Sequence, residues 1–173
     1  TTPPTPTSQL KIYVPGPTPV DTGSWGDLFP CDSRFQPNFG TAVIVHGWNP
    51  PIIGGDQLNG WMLETAKLIH QRITVGVNVL AWEWMEEARG LVDGRAPGNI
   101  DPQARMLAAA LESAFTENYR GPLHLIGHSL GSQLIIVTAL TMAQHLPWVD
   151  LIPQTQLTLL DTPDLPGICI VNT

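Results

Sequence analysis

The sequence has no long hydrophobic run, because its longest apolar stretches are broken by Gly, His or Ser well short of the about 20 residues that cross a bilayer. It also has few charged residues, 13% of the chain, and no run of Lys and Arg. The formal net charge of −7 is spread over short islands. Nucleic acids and anionic membranes bind basic patches. The composition therefore predicts a protein with neither a nucleic-acid partner nor an integral membrane span.

Cysteine is scarce too, since the chain contains only Cys31 and Cys169. Their spacing leaves open whether they form a disulfide or remain two thiols in apolar surroundings. Residues 1–9 are rich in Pro and Thr, which indicates an extended leader or linker that cannot pack. Such segments are typical of exported multidomain proteins, so we expect a secreted or extracellular location.

Apolar residues are plentiful, at 43% of 173 residues, so we expect residues 10–173 to form one domain around one core. The patterns predict strands at 10–14, 41–45, 75–84, 123–127, 156–160 and 168–171, helices at 57–71, 101–119 and 130–146, and irregular segments at 15–38 and 89–99. Asp101 and Pro102 mark a helix start, as a capping side chain and a first-turn proline. This order predicts an α/β fold, a mostly parallel doubly wound sheet with helices on both faces.

The pattern Gly-His-Ser-Leu-Gly at 127–131 lies between a predicted strand and a predicted helix. In that context it matches the nucleophile elbow G-x-S-x-G, a sharp turn that exposes a serine hydroxyl at the carboxyl end of a sheet on strained backbone angles. Gly127 and Gly131 would leave room where the strand and the helix pass closely. We interpret His128 as turn packing. The alternative is a glycine-containing turn in which Ser129 only caps the following helix.

Acyl transfer also needs backbone N–H groups aimed at the oxygen that becomes negative. One candidate is the amide of Leu130, at the positive end of the helix that follows the serine. The second is the amide of Trp48, in the loop after the strand 41–45. Gly47 permits a close approach of this loop, and His46 is predicted to orient the loop by hydrogen bonding rather than to act as a base.

Four segments in this order resemble the pancreatic-lipase-like group of α/β-hydrolases: VIVHGW (43–48), NVLAWEW (78–84), HLIGHSLG (124–131) and LTLLDTPDLP (157–166). They are similar to that family's oxyanion strand and loop, its next strand, its elbow and its acid-bearing loop. The chain departs from the family at Glu83, where the family commonly has Asp, and in DTPD, which replaces D-P-A.

The resemblance implies that Ser129 is the nucleophile, Asp161 the triad acid, and the amides of Trp48 and Leu130 the oxyanion donors. Asp164 is the second candidate for the acid. The position of Asp161 directly after a buried strand agrees with this assignment, because that places it at the same edge as Ser129. The alternative is an Asp that merely starts a turn before Pro163.

The base of the triad is missing from the expected place. In α/β-hydrolases the triad runs in the order Ser, Asp, His, but this chain has no histidine after His145. Two explanations stay open: the domain is short at its C-terminus and is completed by a further segment or another chain, or His46 or a solvent path substitutes. We expect the first, with residues 10–173 as an incomplete catalytic domain.

The sequence thus predicts a serine hydrolase that cleaves carboxylic esters, a lipase or esterase, through an acyl-serine intermediate and without a metal or cofactor. The missing histidine supports an alternative, a non-catalytic binding or scaffold protein that keeps the hydrolase fold. A thioesterase or an acyltransferase is a further alternative, because the same elbow serves both.

Overall fold

The structure is a computed structural model that describes residues 8–17, 22–49, 55–89, 95–115, 119–145 and 154–163. The predicted strand at 168–171 lies outside the described residues, as do Cys169 and Asp164. Cys31 is exposed to solvent, and whether it pairs with Cys169 stays open. No helix in the described ranges is long and apolar enough to span a membrane.

Six strands form one sheet: β1 (Gln9–Val14), β2 (Ser24–Asp27), β3 (Gly40–Val45), β4 (Val77–Glu83), β5 (Leu123–His128) and β6 (Thr155–Leu160). Their spatial order is β2-β1-β4-β3-β5-β6. Strand β1 runs antiparallel to both β2 and β4, and the other neighbouring pairs are parallel. The central strands are mostly apolar because both of their faces are covered.

The helices are α1 (Leu63–Arg72), which continues a π-helical turn (Leu58–Met62), the short α2 (Arg95–Gly98), α3 (Ile100–Phe115) and α4 (Leu130–His145). Alternate side chains of the central strands enter two separate cores. Val43, Val45 and Leu80 pack with α3 and α4 on one face. Ile44 and Val79 pack with α1 and its π-helical turn on the other. The predicted mostly parallel sheet with helices on both faces is therefore confirmed.

Two predictions about the irregular segments are wrong. Strand β2 lies inside 15–38, where it pairs with the edge of β1, and its Trp25 indole donates a hydrogen bond to the Leu58 carbonyl oxygen at 2.8 Å. A four-residue strand with one aromatic residue carries too little periodicity to predict. Helix α2 lies inside 89–99, and it is also too short to leave a pattern.

The start of α3 also differs from the prediction. The helix begins at Ile100, and the backbone N–H of Gln103 donates to the Asn99 carbonyl oxygen at 3.0 Å. Asp101 is therefore inside the helix rather than at its cap. Its carboxylate pairs with Arg105, one turn further on, at 2.9 Å.

The order of the strands creates a switch point at the carboxyl ends of β3 and β5. From β3 the chain crosses to β4 on one side, and from β5 it crosses to β6 on the other. The loops that leave β3 and β5 therefore diverge at the carboxyl ends of two neighbouring strands. In open α/β sheets this switch point is where ligands bind.

Candidate active site

Ser129 occupies a strained turn between β5 and α4. Its φ is 53°, in the left-handed region, and the side chain is half-buried. Its N–H donates to the Leu160 carbonyl oxygen at 2.8 Å, and its own carbonyl oxygen accepts from the N–H of Ser132 at 2.9 Å. A left-handed φ differs from the extended backbone that is typical of an N-cap residue. The turn therefore has the strain expected of an elbow, which a simple helix cap would not need.

The glycines of this turn are required by close backbone contacts. A Cβ atom at Gly127 would lie 2.5 Å from the Gly131 carbonyl oxygen, where β5 meets α4. A Cβ atom at Gly131 would lie 2.5 Å from the carbonyl oxygens of both Val45 and His46. The predicted steric need for glycine at both positions is confirmed, although Gly131 passes the end of β3 rather than β5.

The loop after β3 lies directly against the elbow. A Cβ atom at Gly47 would be 2.6 Å from the Cβ of Ser129 and 3.1 Å from the amide nitrogen of Leu130. Leu130 is the first residue of α4, so its N–H is one of the helix amides without an intrahelical acceptor. The backbone of the loop that carries the Trp48 amide therefore lies against the Leu130 amide, beside the candidate nucleophile.

His46 fixes the orientation of this loop. Its Nδ1 lies 2.8 Å from the Gly47 carbonyl oxygen, and since a carbonyl only accepts, Nδ1 carries the proton. The C=O and N–H of a trans peptide point in opposite directions, so this bond directs the Trp48 N–H away from the His46 ring. This hydrogen bond agrees with the predicted role of His46 in the loop, and that role stays a prediction.

The surroundings of His46 keep its ring neutral. The side chain is fully buried and stacks on Trp84, with ring centroids 5.6 Å apart, and the Trp84 indole donates to the His46 carbonyl oxygen at 2.9 Å. Burial lowers the pKa of His46 to about 4. Its Nε2 is buried and has no hydrogen-bond partner, so a second proton there would be unpaired.

The other end of the loop is tied to the segment after β4. The Trp48 indole is half-buried and donates to the Arg89 carbonyl oxygen at 3.3 Å. The N–H of Asn49 donates to the Ala88 carbonyl oxygen at 3.1 Å. These bonds and that of His46 hold the loop at both ends, which is the preorganisation that an oxyanion site requires.

Asp161 follows β6 and lies at the same sheet edge as Ser129. His128 and Leu160 are partners in the register of β5 and β6, so the next residue on each strand is Ser129 and Asp161. Asp161 is exposed and has a φ of 49°. Among the described residues, only Ser129, Asp161 and Cys31 combine a side chain with a positive φ. Strained backbone concentrates at functional sites.

Side chains of α4 anchor the loop that carries Asp161. The Ser132 hydroxyl contacts the carbonyl oxygens of Gly127 at 2.7 Å and Leu160 at 3.3 Å. The buried Gln133 amide donates to the Pro163 carbonyl oxygen at 3.4 Å. The elbow and the acid-bearing loop are thus joined through one helical turn.

The histidines with described side chains have other neighbours. His128 packs edge-on against Trp61 at 5.8 Å, in agreement with turn packing, and His70 contacts Tyr13 at 5.6 Å. His124 shares a hydrogen bond of 2.8 Å with the Thr158 hydroxyl, and burial lowers its pKa. His145 is the last residue of α4. At a rise of 1.5 Å per residue, its backbone lies about 20 Å from the elbow. Within the described residues no imidazole hydrogen-bonds to Ser129.

The contacts of three residues in this region carry no signal in the sequence. Trp84 supports His46, Trp61 contacts His128, and Lys11 bridges Asp27 at 2.6 Å and Glu83 at 2.8 Å. Glu83, the departure from the family pattern, is thereby held by an ion pair at the end of β4. All these partners are distant in sequence or on other elements, so no local pattern could reveal them.

Comparison with models of known protein families, and with curated proteins, finds no match for this chain. The geometry of the sheet edge is therefore what indicates a function.

Proposed function

We propose that this chain is a serine hydrolase of the α/β-hydrolase type that cleaves carboxylic esters through an acyl-Ser129 intermediate. The observation that carries the proposal is the contact of Gly47 with the elbow, since a Cβ atom added at Gly47 would lie 2.6 Å from the Ser129 Cβ. This contact brings one candidate oxyanion loop beside a strained serine at the switch point. The mostly parallel sheet and the positive φ of Ser129 support it.

In this mechanism the Ser129 oxygen attacks the ester carbonyl carbon and its proton passes to a general base. The amides of Leu130 and Trp48 hold the negative oxygen of the tetrahedral intermediate. Collapse expels the alcohol, which takes up the proton, and water then releases the acid by the same steps in reverse order. A lost oxyanion donor typically costs about 3 to 4 kcal/mol of barrier.

We assign the base to an imidazole other than the four whose side chains the structure describes, from a further segment or another chain, with Asp161 as the carboxylate that orients it. Asp161 suits this role because it lies one register step from Ser129 across β5 and β6. A serine hydrolase that lacks one triad member keeps part of its rate through the oxyanion site and binding. Residual acylation of Ser129 is therefore expected from these residues alone.

The test is a pre-steady-state assay with p-nitrophenyl butyrate. We expect a release of p-nitrophenol that reaches about one equivalent of protein and becomes faster when imidazole is added as an external base. Ser129→Ala should abolish the release above the imidazole background. Ser33→Ala, at an exposed position away from the sheet edge, is the matched control and should keep it.

The main rival is a non-catalytic binding or scaffold protein of the same fold. The specific observation in its favour is that none of the described histidines hydrogen-bonds to Ser129. The rival predicts no Ser129-dependent release with or without imidazole. A thioesterase would instead acylate Ser129 from a butyryl thioester much faster than from the oxygen ester, and an acyltransferase would pass the acyl group to an added alcohol in preference to water.

A further inference from the structure

Trp61 lies beside the elbow on the α1 side of the sheet. The ring of His128, the residue before Ser129, meets the Trp61 indole edge-on at 5.8 Å and 64°. The indole N–H donates to the side-chain oxygen of Gln57 at 2.8 Å, so the ring is held by a hydrogen bond as well as by packing. Trp61 is half-buried and keeps part of its surface open.

The position of Trp61 depends on the π-helical turn before α1. Gly60 within that turn has φ −89° and ψ −121°, which is not helical. This irregularity is local to the turn that carries Trp61, whereas α1 itself is regular. Single π-helical turns occur frequently at functional sites.

A second indole approaches the same edge from the opposite layer. Trp48 packs against the core formed with α3 and α4, whereas Trp61 packs against the core formed with α1. The Gly47 contact places the Trp48 loop against Ser129. One layer thus brings an indole to the residue before the candidate nucleophile, and the other brings the loop that carries Trp48 against Ser129 through Gly47.

We propose that Trp61 is a specificity-determining residue of this site and that, with His128, it forms an aromatic wall for a flat aromatic group of the ester substrate. This inference rests on the proposed function. An indole held by its N–H offers a rigid surface, and aromatic pairs gain energy from offset or edge-on contacts beyond simple burial. A planar ring also loses fewer rotamers on binding than a flexible alkyl chain. The site therefore prefers aryl over alkyl groups of similar size.

The test compares the affinities of phenylboronic acid and n-butylboronic acid. In each adduct the Ser129 oxygen bonds to boron, which becomes tetrahedral and anionic, while the hydroxyl proton goes to buffer. We expect wild-type protein to bind the phenyl compound more tightly. Trp61→Leu should reduce the phenyl-to-butyl affinity ratio by about threefold to tenfold, and Trp61→Phe should restore most of it.

Phe29→Leu is the control, because Phe29 is an exposed aromatic residue that follows β2 and makes no ring contact with Trp61 or His128 in the part of the chain that the structure describes. It should leave the ratio unchanged even if it lowers stability. His128→Leu provides a second route to the same wall if Trp61→Leu does not fold, and it should also lower the ratio.

Equal affinities in the wild type, or a ratio that survives both Trp61→Leu and His128→Leu, would overturn the inference while leaving a Ser129 hydrolase intact. Boronate binding that persists in Ser129→Ala would instead remove the proposed function, and the inference with it.

Discussion

Protonation of the His46 side chain is the change at a single residue with the clearest expected effect on the stability of the folded protein. Its ring is buried, and its single N–H donates a hydrogen bond to the Gly47 carbonyl oxygen. A second N–H, at Nε2, would have no acceptor. A protonated ring would place an unpaired charge in the core, so burial lowers the pKa from 6.5 to about 4. The loop that carries the Trp48 amide is therefore built for a neutral imidazole.

This predicts a pH dependence of stability. Between pH 6.5 and 4, His46 is protonated in the unfolded chain and neutral in the folded chain. The free energy of unfolding therefore falls as the pH falls through that range. The loss from this one residue is about 3 kcal/mol. Urea unfolding at several pH values should show it, and His46→Gln should show a flatter dependence. Parallel curves for the two proteins would contradict the neutral, buried ring.

Single residues were predictable where a local pattern constrains them. Ser129, Gly127 and Gly131 belong to one five-residue turn, so the strain at Ser129 and the contact between β5 and α4 at Gly127 follow from the motif, whereas the contact of Gly131 with the end of β3 does not. The stacking of His46 on Trp84 was not predictable, because 38 residues separate them and only the pairing of β3 with β4 brings them together.

The contact between α4 and the end of β3 is among the tightest contacts between elements near the site. Because the Cβ of an alanine at position 131 would lie 2.5 Å from two carbonyl oxygens, the helix would have to move away from the sheet. We expect Gly131→Ala to lower the free energy of unfolding by about 2 kcal/mol or more, as overpacking does elsewhere. Chemical denaturation measures this change.

Gly98→Ala is the control for that substitution, since nothing lies within 4 Å of a Cβ at this helical position. It should be neutral or slightly stabilising. An equal effect of the two substitutions would mean that α4 does not pass so close to β3.

At the level of strands and helices, long patterns were predictable and short ones were not. Strands β3, β4 and β5 are mostly apolar because helices cover both faces, and α4 follows the elbow directly. Strand β2 has four residues and depends on pairing with β1. The π-helical turn lies within a stretch whose apolar spacing resembles an ordinary helix, so only the backbone reveals it.

The order of the strands in the sheet determines which loops lie next to each other. The alternation of strands and helices predicted parallel strands, but the order β4-β3-β5-β6 comes from packing between distant segments. That order makes β3 and β5 neighbours, and their neighbourhood is what brings Gly47 to Ser129. The candidate site was therefore predictable as a set of residues, whereas the positions of Trp61 and of the loop that carries Trp48 depend on layers that the sequence does not reveal.

The central claim is that Ser129 is a nucleophile beside two backbone donors at the switch point, and covalent labelling by a fluorophosphonate probe tests it most directly. We expect intact-mass and peptide mass spectrometry of the folded protein to find one adduct, on Ser129, formed faster with added imidazole and absent from Ser129→Ala. A folded protein that gains no adduct, or one that Ser129→Ala labels equally well, would contradict the account.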